Sequence, residues 1–461
     1  MKNKKIFLCL IVNFLLGFPS IFCATQNVTV TVIGTGYVGL ITGACCADFG
    51  HTVFCVDNDA AKIEQLTHNH IPIYEPGLAA LVVKNVAGQR LHFTTDMAGA
   101  VDKSNVIVIA VGTPMGQNGC ADLSAVYQVF AAIANHLDTY KIICIKSTVP
   151  IGTGHKMIQF LTQLGVDQNN FDLVSNPEFL REGSAINDFM YPDRIVIGGT
   201  NSAAIESIKN LYAPLLNAGV PCVCTSIVSS ETIKYASNAF LATKLSFINE
   251  IADICDNSGA DIEDVAKGMG LDKRIGTAFL RPGPGFGGSC FPKDCHELDN
   301  MGKSLGVTMH VVEAALARNE EQKRKPFEKL SALMRGELAG KSVALLGLAF
   351  KNNTDDIRYS PAITTIELLL QNHVHIRAFD PAAMQNMRKL FPDLCYAQSI
   401  DQALTGADAA IILTEWDEFK SIDLAQAALL MNQKIIVDAR NILDPAQLKE
   451  HSFAYAMMGR P

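Results

Sequence analysis

Val-Thr-Val-Thr-Val-Ile-Gly-Thr-Gly-Tyr-Val-Gly, residues 28–39, is the stretch that decides the fold of this chain. Its first six residues are β-branched and predict a strand. The glycines that follow, Gly34, Gly36 and Gly39, have the spacing G-x-G-x-x-G. Between a strand and a helix, the first glycine makes the turn, the second lets the backbone approach a pyrophosphate, and the third packs helix against strand. The stretch therefore predicts the start of a dinucleotide-binding unit.

The residues that follow complete this unit. A helix-like segment runs to Phe49, and a second strand, Thr52–Val56, ends at Asp57. An acidic residue about 20 positions after such a motif accepts hydrogen bonds from the adenosine ribose and disfavours a 2′-phosphate. The order strand, motif, helix, strand and acid therefore predicts NAD binding, with the helix N-terminus facing the phosphates.

Polar clusters follow three further predicted strands, 106–111, 142–145 and 172–174. The clusters are Gly112-Thr113-Pro114, Lys146-Ser147-Thr148 and Ser175-Asn176-Pro177-Glu178. Ligands of open α/β sheets bind beyond the carboxyl ends of the strands. We therefore expect these clusters to line one site.

The loop Gly-Pro-Gly-Phe-Gly-Gly-Ser-Cys-Phe-Pro-Lys-Asp-Cys, residues 283–295, carries a candidate nucleophile. Its glycines allow positive φ and a close approach of the backbone to a ligand. Cys290 lacks the apolar surroundings of an ordinary buried cysteine, and Lys293 and Asp294 follow it. One interpretation is a nucleophilic thiol whose pKa is lowered by nearby positive charge. The other is a tight turn that holds a buried cysteine.

The second half of the chain predicts a long helix and then another α/β lobe. The helix runs from about 229 to 258, stops at Gly259, and places Lys234 and Asn238 on one face. The charged stretch 318–325 is typical of a linker helix or its end. The α/β pattern resumes, without a second glycine motif, at 342–346, 363–371, 375–379, 409–413 and 434–437.

The composition indicates a compact globular protein of about three domains, since 49% of its 461 residues are hydrophobic and 18% are charged. The net charge of −8, without a dense basic stripe, argues against nucleic acid as a partner. None of the 13 cysteines lies in a zinc-type C-x-x-C pair, so we expect reduced, mostly buried thiols and no metal.

Seven motifs in chain order resemble those of the UDP-glucose/GDP-mannose dehydrogenase family, bacterial type, whose members oxidise a primary alcohol of a nucleotide sugar to an acid. The motifs are VIGTGYVGL (32–40), PIYEPGL (72–78), KSTVPIGT (146–153), NPEFLREGSAI (176–186), KYASNAFLATK (234–244), PGPGFGGSCFPKD (282–294) and GLAFKNNTDDIR (347–358). The spelling of the fourth and sixth favours UDP-glucose, which would be oxidised to UDP-glucuronate.

The resemblance implies a fold of two Rossmann-like, doubly wound parallel-sheet lobes joined by a long central helix. The expected domains are a Rossmann NAD-binding domain (27–215), a central helical dimerisation domain (216–325) and a UDP-sugar-binding Rossmann-like domain (326–461). A homodimer is the expected assembly.

The resemblance also implies roles for individual residues. Expected to contact NAD are Gly34, Gly36, Tyr37, Val38, Gly39, Asp57, Lys62, Thr113, Thr148, Glu182, Lys293 and Arg358. Expected to hold the UDP-sugar are Glu178, Phe179, Leu180, Arg181, Glu182, Lys234, Asn238, Arg274, Arg281, Gly283, Gly285, Phe286, Gly287, Phe350 and Lys351. Expected to be catalytic are Cys290, Lys234, Asp294, Glu178, Thr148 and Asn238.

The implied reaction removes two hydrides, so two NAD molecules are used in turn. Cys290 would trap the intermediate aldehyde as a thiohemiacetal, which is oxidised to a thioester and then hydrolysed. Lys234 would stabilise the oxyanions. Either Asp294 or Glu178, through a water, would serve as general base.

Three other readings remain open at this stage. The chain could act on GDP-mannose or a UDP-N-acetyl-amino sugar, or it could be an inactive nucleotide-binding protein, although Cys290, Lys234 and Asp294 are all present. The third reading is an exported or membrane-anchored surface protein. It rests on the N-terminus, where lysines precede the apolar run 6–18 as in a signal peptide.

Two features argue against export. The cleavage site is poor, because Phe22 stands where a small residue is wanted, and the run is too short for a stable membrane span. Since NAD, UDP-sugars and a reduced thiol belong to the cytosol, we expect a cytoplasmic protein in which residues 1–26 are dispensable for activity.

Overall fold

A computed structural model describes residues 27–116 and 119–460. The signal-like segment 1–26 lies outside the described residues, so its prediction is untested. Within the described part of the chain, no helix combines the length and the apolar composition that a membrane crossing needs.

The first lobe is built around an eight-stranded sheet. Its strands are β1 (Thr29–Ile33), β2 (Thr52–Val56), β3 (Leu91–Thr94), β4 (Val106–Ile109), β5 (Lys141–Ile145), β6 (Phe171–Ser175), β7 (Ile195–Gly198) and β8 (Cys222–Thr225). Its helices are α1 (Tyr37–Asp48), α2 (Ala60–Thr67), α3 (Leu78–Ala87), α4 (Met97–Lys103), α5 (Ser124–Ala134), α6 (Thr153–Gln163), α7 (Ala185–Met190), α8 (Ser202–Leu211) and α9 (Ala213–Asn217).

The strand order is β3-β2-β1-β4-β5-β6-β7-β8, and the strand direction reverses once, where β7 pairs antiparallel with β6. The remaining pairs are parallel, and β1 to β6 form the doubly wound part that the glycine motif predicts. The edge strand β8 lies beyond the predicted domain boundary at 215, so the sheet extends past it.

The central region consists of α10 (Ile227–Ser258), α11 (Ile262–Gly270), α12 (Phe291–Ser304), α13 (His310–Gln322) and α14 (Lys325–Leu333). Ser226 caps α10 by accepting a hydrogen bond from the Ser229 N–H, and Gly259 ends the helix with φ +80°. At 32 residues α10 is about 48 Å long. This one helix therefore connects the first sheet to the central helices that flank the loop 283–295.

The second lobe contains a six-stranded parallel sheet, order β11-β10-β9-β12-β13-β14. Its elements are β9 (Ser342–Leu346), α15 (Pro361–Gln371), β10 (His375–Phe379), α16 (Met384–Leu390), β11 (Cys395–Tyr396), α17 (Ile400–Leu404), β12 (Ala409–Ile412), α18 (Asp417–Lys420), α19 (Leu424–Leu430), β13 (Ile435–Asp438), α20 (Pro445–Glu450) and β14 (Ala454–Met457). The predicted fold class, two such lobes joined by a long helix, is confirmed.

Candidate active site

The glycine motif lies at the carboxyl end of β1 and lines a cavity of about 460 Å³. Gly34 has φ +98°, and a Cβ there would lie 2.7 Å from the Ala110 carbonyl oxygen. No atom lies within 4 Å of the Cβ position of Gly36, which stands directly before α1. No side chain caps α1, and its first turn contains no acidic residue. The space and the open helix N-terminus fit the pyrophosphate of NAD.

Asp57 faces this cavity from the end of β2. Its Oδ2 accepts hydrogen bonds from Thr35 N (2.9 Å), Thr35 Oγ1 (2.7 Å) and Lys62 Nζ (2.9 Å). Burial raises the pKa of Asp57, but these hydrogen bonds outweigh it and lower the pKa to about 2. The carboxylate is therefore ionised at neutral pH, a state suited to accepting hydrogen bonds from ribose hydroxyls and repelling a 2′-phosphate.

Asp57→Ala is expected to narrow the preference for NAD over NADP at least tenfold, because removing about 1.4 kcal/mol of charge repulsion already changes the ratio tenfold. The measurement is kcat/KM with each cofactor. Asp59→Ala, which removes a carboxylate that caps α2 by accepting from Lys62 N, is the matched control and should leave the ratio unchanged. Equal use of both cofactors by the unchanged protein would contradict the role of Asp57.

The predicted strand-end clusters meet beyond β4, β5 and β6. Thr113 Oγ1 donates to the Thr148 carbonyl oxygen (2.8 Å). Lys146 Nζ, which is buried, donates to Asn176 Oδ1 (3.3 Å) and to the hydroxyl of Tyr212 (3.2 Å). The three clusters therefore share one edge of the sheet, as expected.

Side chains from α10 and α13 hold the loop that leads to Cys290. Asn249 Oδ1 accepts from Gly283 N (2.9 Å), and Gln322 Nε2 donates to Gly283 O (2.5 Å). The Asn319 amide bonds both the N–H (2.7 Å) and the carbonyl (3.0 Å) of Phe286. The stretch 318–325, predicted to be a linker helix or its end, contains the end of α13 at Gln322, and its buried side chains fix the loop.

A buried ion pair stands beside Cys290. Lys234 Nζ donates to Glu178 Oε1 (2.9 Å), and the side chains are only 3% and 5% exposed. Burial lowers the pKa of Lys234, but the negative charges of Glu178 and Asp294 outweigh burial and raise it. Lys234 is therefore a permanent cation at neutral pH.

Asp294 is held by two side chains that the sequence also singles out. Its Oδ2 accepts from Asn238 Nδ2 (2.6 Å), and its Oδ1 accepts from Lys293 Nζ (2.5 Å). Lys234 and Asn238 lie one turn apart on α10, so this helix presents both to the Cys290 loop. The predicted catalytic side chains from three separate motifs are thus brought together, with the exception of Thr148, whose carbonyl oxygen accepts from Thr113.

The prediction that positive charge lowers the pKa of Cys290 is wrong. Burial and the negative charge of Glu178 raise it, Lys234 opposes them, and the result is a pKa of about 11. Two buried carboxylates, Glu178 and Asp294, outnumber the one lysine that acts on the thiol. Cys290 is therefore protonated at neutral pH in the free protein.

Alkylation of Cys290 by iodoacetamide should consequently accelerate about tenfold per pH unit between pH 7 and 10, because the thiolate fraction rises in that proportion below the pKa. Peptide mass spectrometry of the free protein measures the rate at Cys290, with Cys290→Ala as the blank. A rate that levels off below pH 8.5 would show a thiol pKa lower than this geometry gives.

Two cavities meet at Cys290. The first, about 230 Å³, lies between the central region and the second lobe, and the second, about 690 Å³, reaches Lys234 and Asn238. Lining the first are the predicted residues Leu180, Arg181, Glu182, Arg281, Gly283, Gly285, Phe286, Gly287, Phe350 and Lys351. Phe179 lines the second.

Glu182 connects all three parts of the protein. It accepts hydrogen bonds from Ser289 Oγ (3.3 Å) and Thr354 Oγ1 (3.0 Å), and Arg358 lies 3.6 Å away. Burial and the charge of Asp356 raise the pKa of Glu182 to about 7. The predicted residues Glu182, Lys351 and Arg358 therefore meet at the junction of the lobes, where Lys351 Nζ donates to the Glu182 carbonyl oxygen.

Arg274 lies apart from this cluster. Its side chain is 89% exposed, pairs with Asp272 (2.6 Å) and lines neither cavity at Cys290.

Among the residues of the smaller cavity that sequence reasoning missed are two charged ones, Glu415 and Arg440. Arg440 donates to the carbonyl oxygens of Leu413 (2.7 Å) and Phe350 (2.8 Å) and lies 3.1 Å from Glu415 Oε2. Both follow strands of the second lobe, so the rule about carboxyl strand ends that was applied to the first lobe would have found them.

Comparisons with known proteins agree with this arrangement. Three domain signatures of the UDP-glucose/GDP-mannose dehydrogenase family match: NAD binding domain at 28–216, central domain at 228–321 and UDP binding domain at 344–445. A UDP-glucose 6-dehydrogenase of Rhizobium meliloti is 47% identical over 94% of this chain and 99% of its own length.

Solved structures match the whole fold. A UDP-glucose dehydrogenase from the archaeon Pyrobaculum islandicum superposes with a TM-score of 0.87 at 34% identity, covering 95% of this chain and 99% of that chain. A UDP-D-ManNAc dehydrogenase from Pyrococcus horikoshii superposes with a TM-score of 0.81 at 26% identity, covering 94% and 99%.

Proposed function

The chain belongs to the UDP-glucose/GDP-mannose dehydrogenase family, and from that premise we propose that it oxidises UDP-glucose to UDP-glucuronate with two NAD per turnover. The observation that carries this proposal is the meeting of Cys290, the Lys234–Glu178 pair and the Asp294–Asn238 pair beside two cavities. A primary alcohol bound there would lie near a thiol that can add to its aldehyde product, an ammonium that can stabilise an oxyanion, and a carboxylate that can accept a proton.

NAD, when bound, accepts a hydride in each of the two oxidations. The chain's own residues bind and orient it: Gly36 leaves room for the pyrophosphate, and Asp57 accepts the ribose hydroxyls. Glu182, Lys293 and Arg358 are the predicted contacts near the reacting centre, and they lie close to Cys290 or to each other.

Cys290 takes part in the second half of the reaction. Its sulfur adds to the aldehyde carbon while the thiol proton leaves, giving a thiohemiacetal. Loss of the second hydride leaves a thioester, and water then displaces the sulfur to give the acid. The sum is one alcohol, one water and two NAD consumed, with one carboxylate, two NADH and three protons formed.

Lys234 and the buried carboxylates handle the charge that these steps create. The Lys234 ammonium stabilises the oxyanion at each tetrahedral stage. Asp294 or Glu178 accepts a proton through a water. Each of these carboxylates contacts a lysine ammonium. Burial raises the pKa of Glu178, but the charge and hydrogen bond of Lys234 outweigh burial and lower it.

The deciding experiment follows NADH release from the purified protein with UDP-glucose, GDP-mannose and UDP-N-acetylmannosamine. The proposal predicts the highest kcat/KM for UDP-glucose and two NADH per sugar consumed. The similarity to the Pyrococcus enzyme favours a UDP-N-acetyl-amino sugar as the second candidate. Faster turnover of that sugar would replace the proposed substrate.

We also propose that the protein is a homodimer joined along α10. Phe240, Phe247 and Ile254 recur at intervals of seven residues on that helix and are 66%, 46% and 60% exposed. Such an apolar stripe favours burial against a second copy. Light scattering of the purified protein should give twice the chain mass, and Phe247→Glu should reduce it; a monomeric unchanged protein would contradict the proposal.

We further propose that the protein works in the cytosol, where NAD, UDP-sugars and reduced thiols are available. The domain signatures begin at residue 28, so a truncated protein that starts at Asn27 should keep full turnover. Fractionation of native cells tests the location, and a processed enzyme in the periplasm or medium would refute it.

A further inference from the structure

Glu75 is a buried carboxylate that the proposed reaction does not use. It lies in the turn before α3 and is only 8% exposed. Its Oε1 accepts from Ala185 N (2.7 Å), and its Oε2 accepts from Gly183 N (2.6 Å) and from the hydroxyl of Tyr37. A charge buried in this way is retained only where donors surround it, and here two of the three donors are backbone amides of another loop.

The segment that Glu75 holds lies between the two lobes. Gly183 has φ +79°, and a Cβ at this position would approach the carbonyl oxygen of Asn353 to 2.4 Å. Tyr74, the neighbour of Glu75, packs edge-on against Trp416 with ring centroids 6.4 Å apart. The turn around Glu75 and the Gly183 segment therefore both touch the second lobe.

Glu182 precedes Gly183 directly, so its position depends on where the Gly183 backbone is held. Its carboxylate reaches Ser289, the neighbour of Cys290, and Thr354 of the second lobe. A shift of this backbone would move that carboxylate away from both partners. The hydrogen bonds of Glu75, together with the one from Gly183 N to the Tyr37 hydroxyl (2.8 Å), fix the backbone from the side of the first lobe.

We propose that Glu75 is a positioning residue, which fixes the Gly183–Ala185 backbone and thereby sets Glu182 between Ser289 and Thr354. The predicted effect on kcat rests on the proposed function, whereas the predicted effect on the Gly183–Ala185 backbone does not.

Hydrogen exchange tests the structural part without substrate. Glu75→Gln keeps the shape of the side chain, but its amide NH₂ faces one of the two backbone N–H groups. Either Ala185 N then loses its acceptor, or Gly183 N keeps only the Tyr37 hydroxyl (2.8 Å). Exchange in a peptide that spans residues 180–190 should become at least about tenfold faster, the change expected from losing one charge-assisted hydrogen bond. Unchanged exchange would overturn the proposal, whatever sugar the enzyme oxidises.

Kinetics tests the positioning part. Glu75→Gln should lower kcat at least about tenfold, because a small displacement of an active-site group from its productive position lowers the rate by at least this factor. UDP binding by calorimetry should fall less than kcat, within about threefold, because most residues that line the smaller cavity, among them the loop 283–288 and Arg440, lie outside the segment that Glu75 holds. A kcat within twofold of the unchanged enzyme would overturn the proposal.

Asp408→Asn is the matched control, because its carboxylate also accepts a backbone N–H, from Ser342 (2.9 Å). This contact lies at the amino ends of the central strands β9 and β12 of the second sheet. Asp408→Asn should lower the melting temperature without lowering kcat. An equal loss of kcat in this control would show that instability explains both variants and would overturn the proposal.

If Glu75→Gln does not fold, Tyr37→Phe is used for the same two measurements. It keeps the carboxylate and removes the hydroxyl, which donates to Glu75 and accepts from Gly183 N (2.8 Å). Exchange and kcat should therefore change in the same directions but less, by about threefold. No change in either measurement would overturn the proposal.

Discussion

Cys290→Ser should form UDP-glucuronate more slowly than the unchanged enzyme by about three orders of magnitude or more, the usual scale for loss of a catalytic nucleophile. A hydroxyl is a weaker nucleophile near neutral pH, and an oxygen ester hydrolyses less readily than a thioester. NADH release measures the rate, and the intact-protein mass should reveal an accumulated sugar adduct. Cys290→Ala should bind NAD and UDP-glucose and be a poor catalyst with supplied aldehyde.

Cys295→Ala is the control for this pair of variants. Cys295 lies five residues further along α12, is buried, and has a pKa that burial raises to about 12. As a packing residue it should leave turnover within a few-fold. Near-normal formation of the acid by Cys290→Ala would make Cys290 structural and the thioester route wrong.

The first lobe could be predicted because its signals are local. The strand Thr52–Val56 has the bounds that the β-branched pattern indicates, and so do 342–346 and 375–379 in the second lobe. Gly34 and Gly39 are explained by close contacts with the carbonyl oxygens of Ala110 and Gly34, and Gly36 by the open space in front of α1. Fold class and cofactor followed from these short-range patterns.

The edge strand β8 and the loop contacts could not be found in this way. Cys222–Thr225 is half-exposed and lacks the apolar run of an inner strand. Asn249, Asn319 and Gln322 bond a loop that is 33 to 39 residues away in sequence. Their partners exist only once α10 and α13 have packed, so the residue types alone carry no signal.

The sign of the Cys290 pKa shift depends on the same long-range packing. The sequence places Lys293 and Asp294 next to the thiol, which suggests a nearby cation. In the folded protein Lys293 instead pairs with Asp294, and Glu178, more than a hundred positions earlier, adds a second negative charge. Adjacency in sequence is therefore a poor guide to the field at a buried atom.

Lys234→Met should lower kcat by about two to three orders of magnitude, the cost of removing one donor to a developing oxyanion. It should also destabilise the protein by about 3–5 kcal/mol, because Glu178 would be left as a buried charge without its cation. NADH release and thermal unfolding measure the two effects. Lys244→Met, on the same helix, where the lysine bonds only the Ile275 carbonyl oxygen (3.1 Å), should change neither strongly.

The double variant Lys234→Met with Glu178→Gln separates the two effects. Removing both charges leaves no buried ion without a partner, so most of the lost stability should return. Turnover should not return, because the Lys234 ammonium no longer stands beside the Cys290 adduct and a candidate base is also gone. If the double variant recovered turnover together with stability, Lys234 would serve only to neutralise Glu178, and the oxyanion would have to be stabilised by another group.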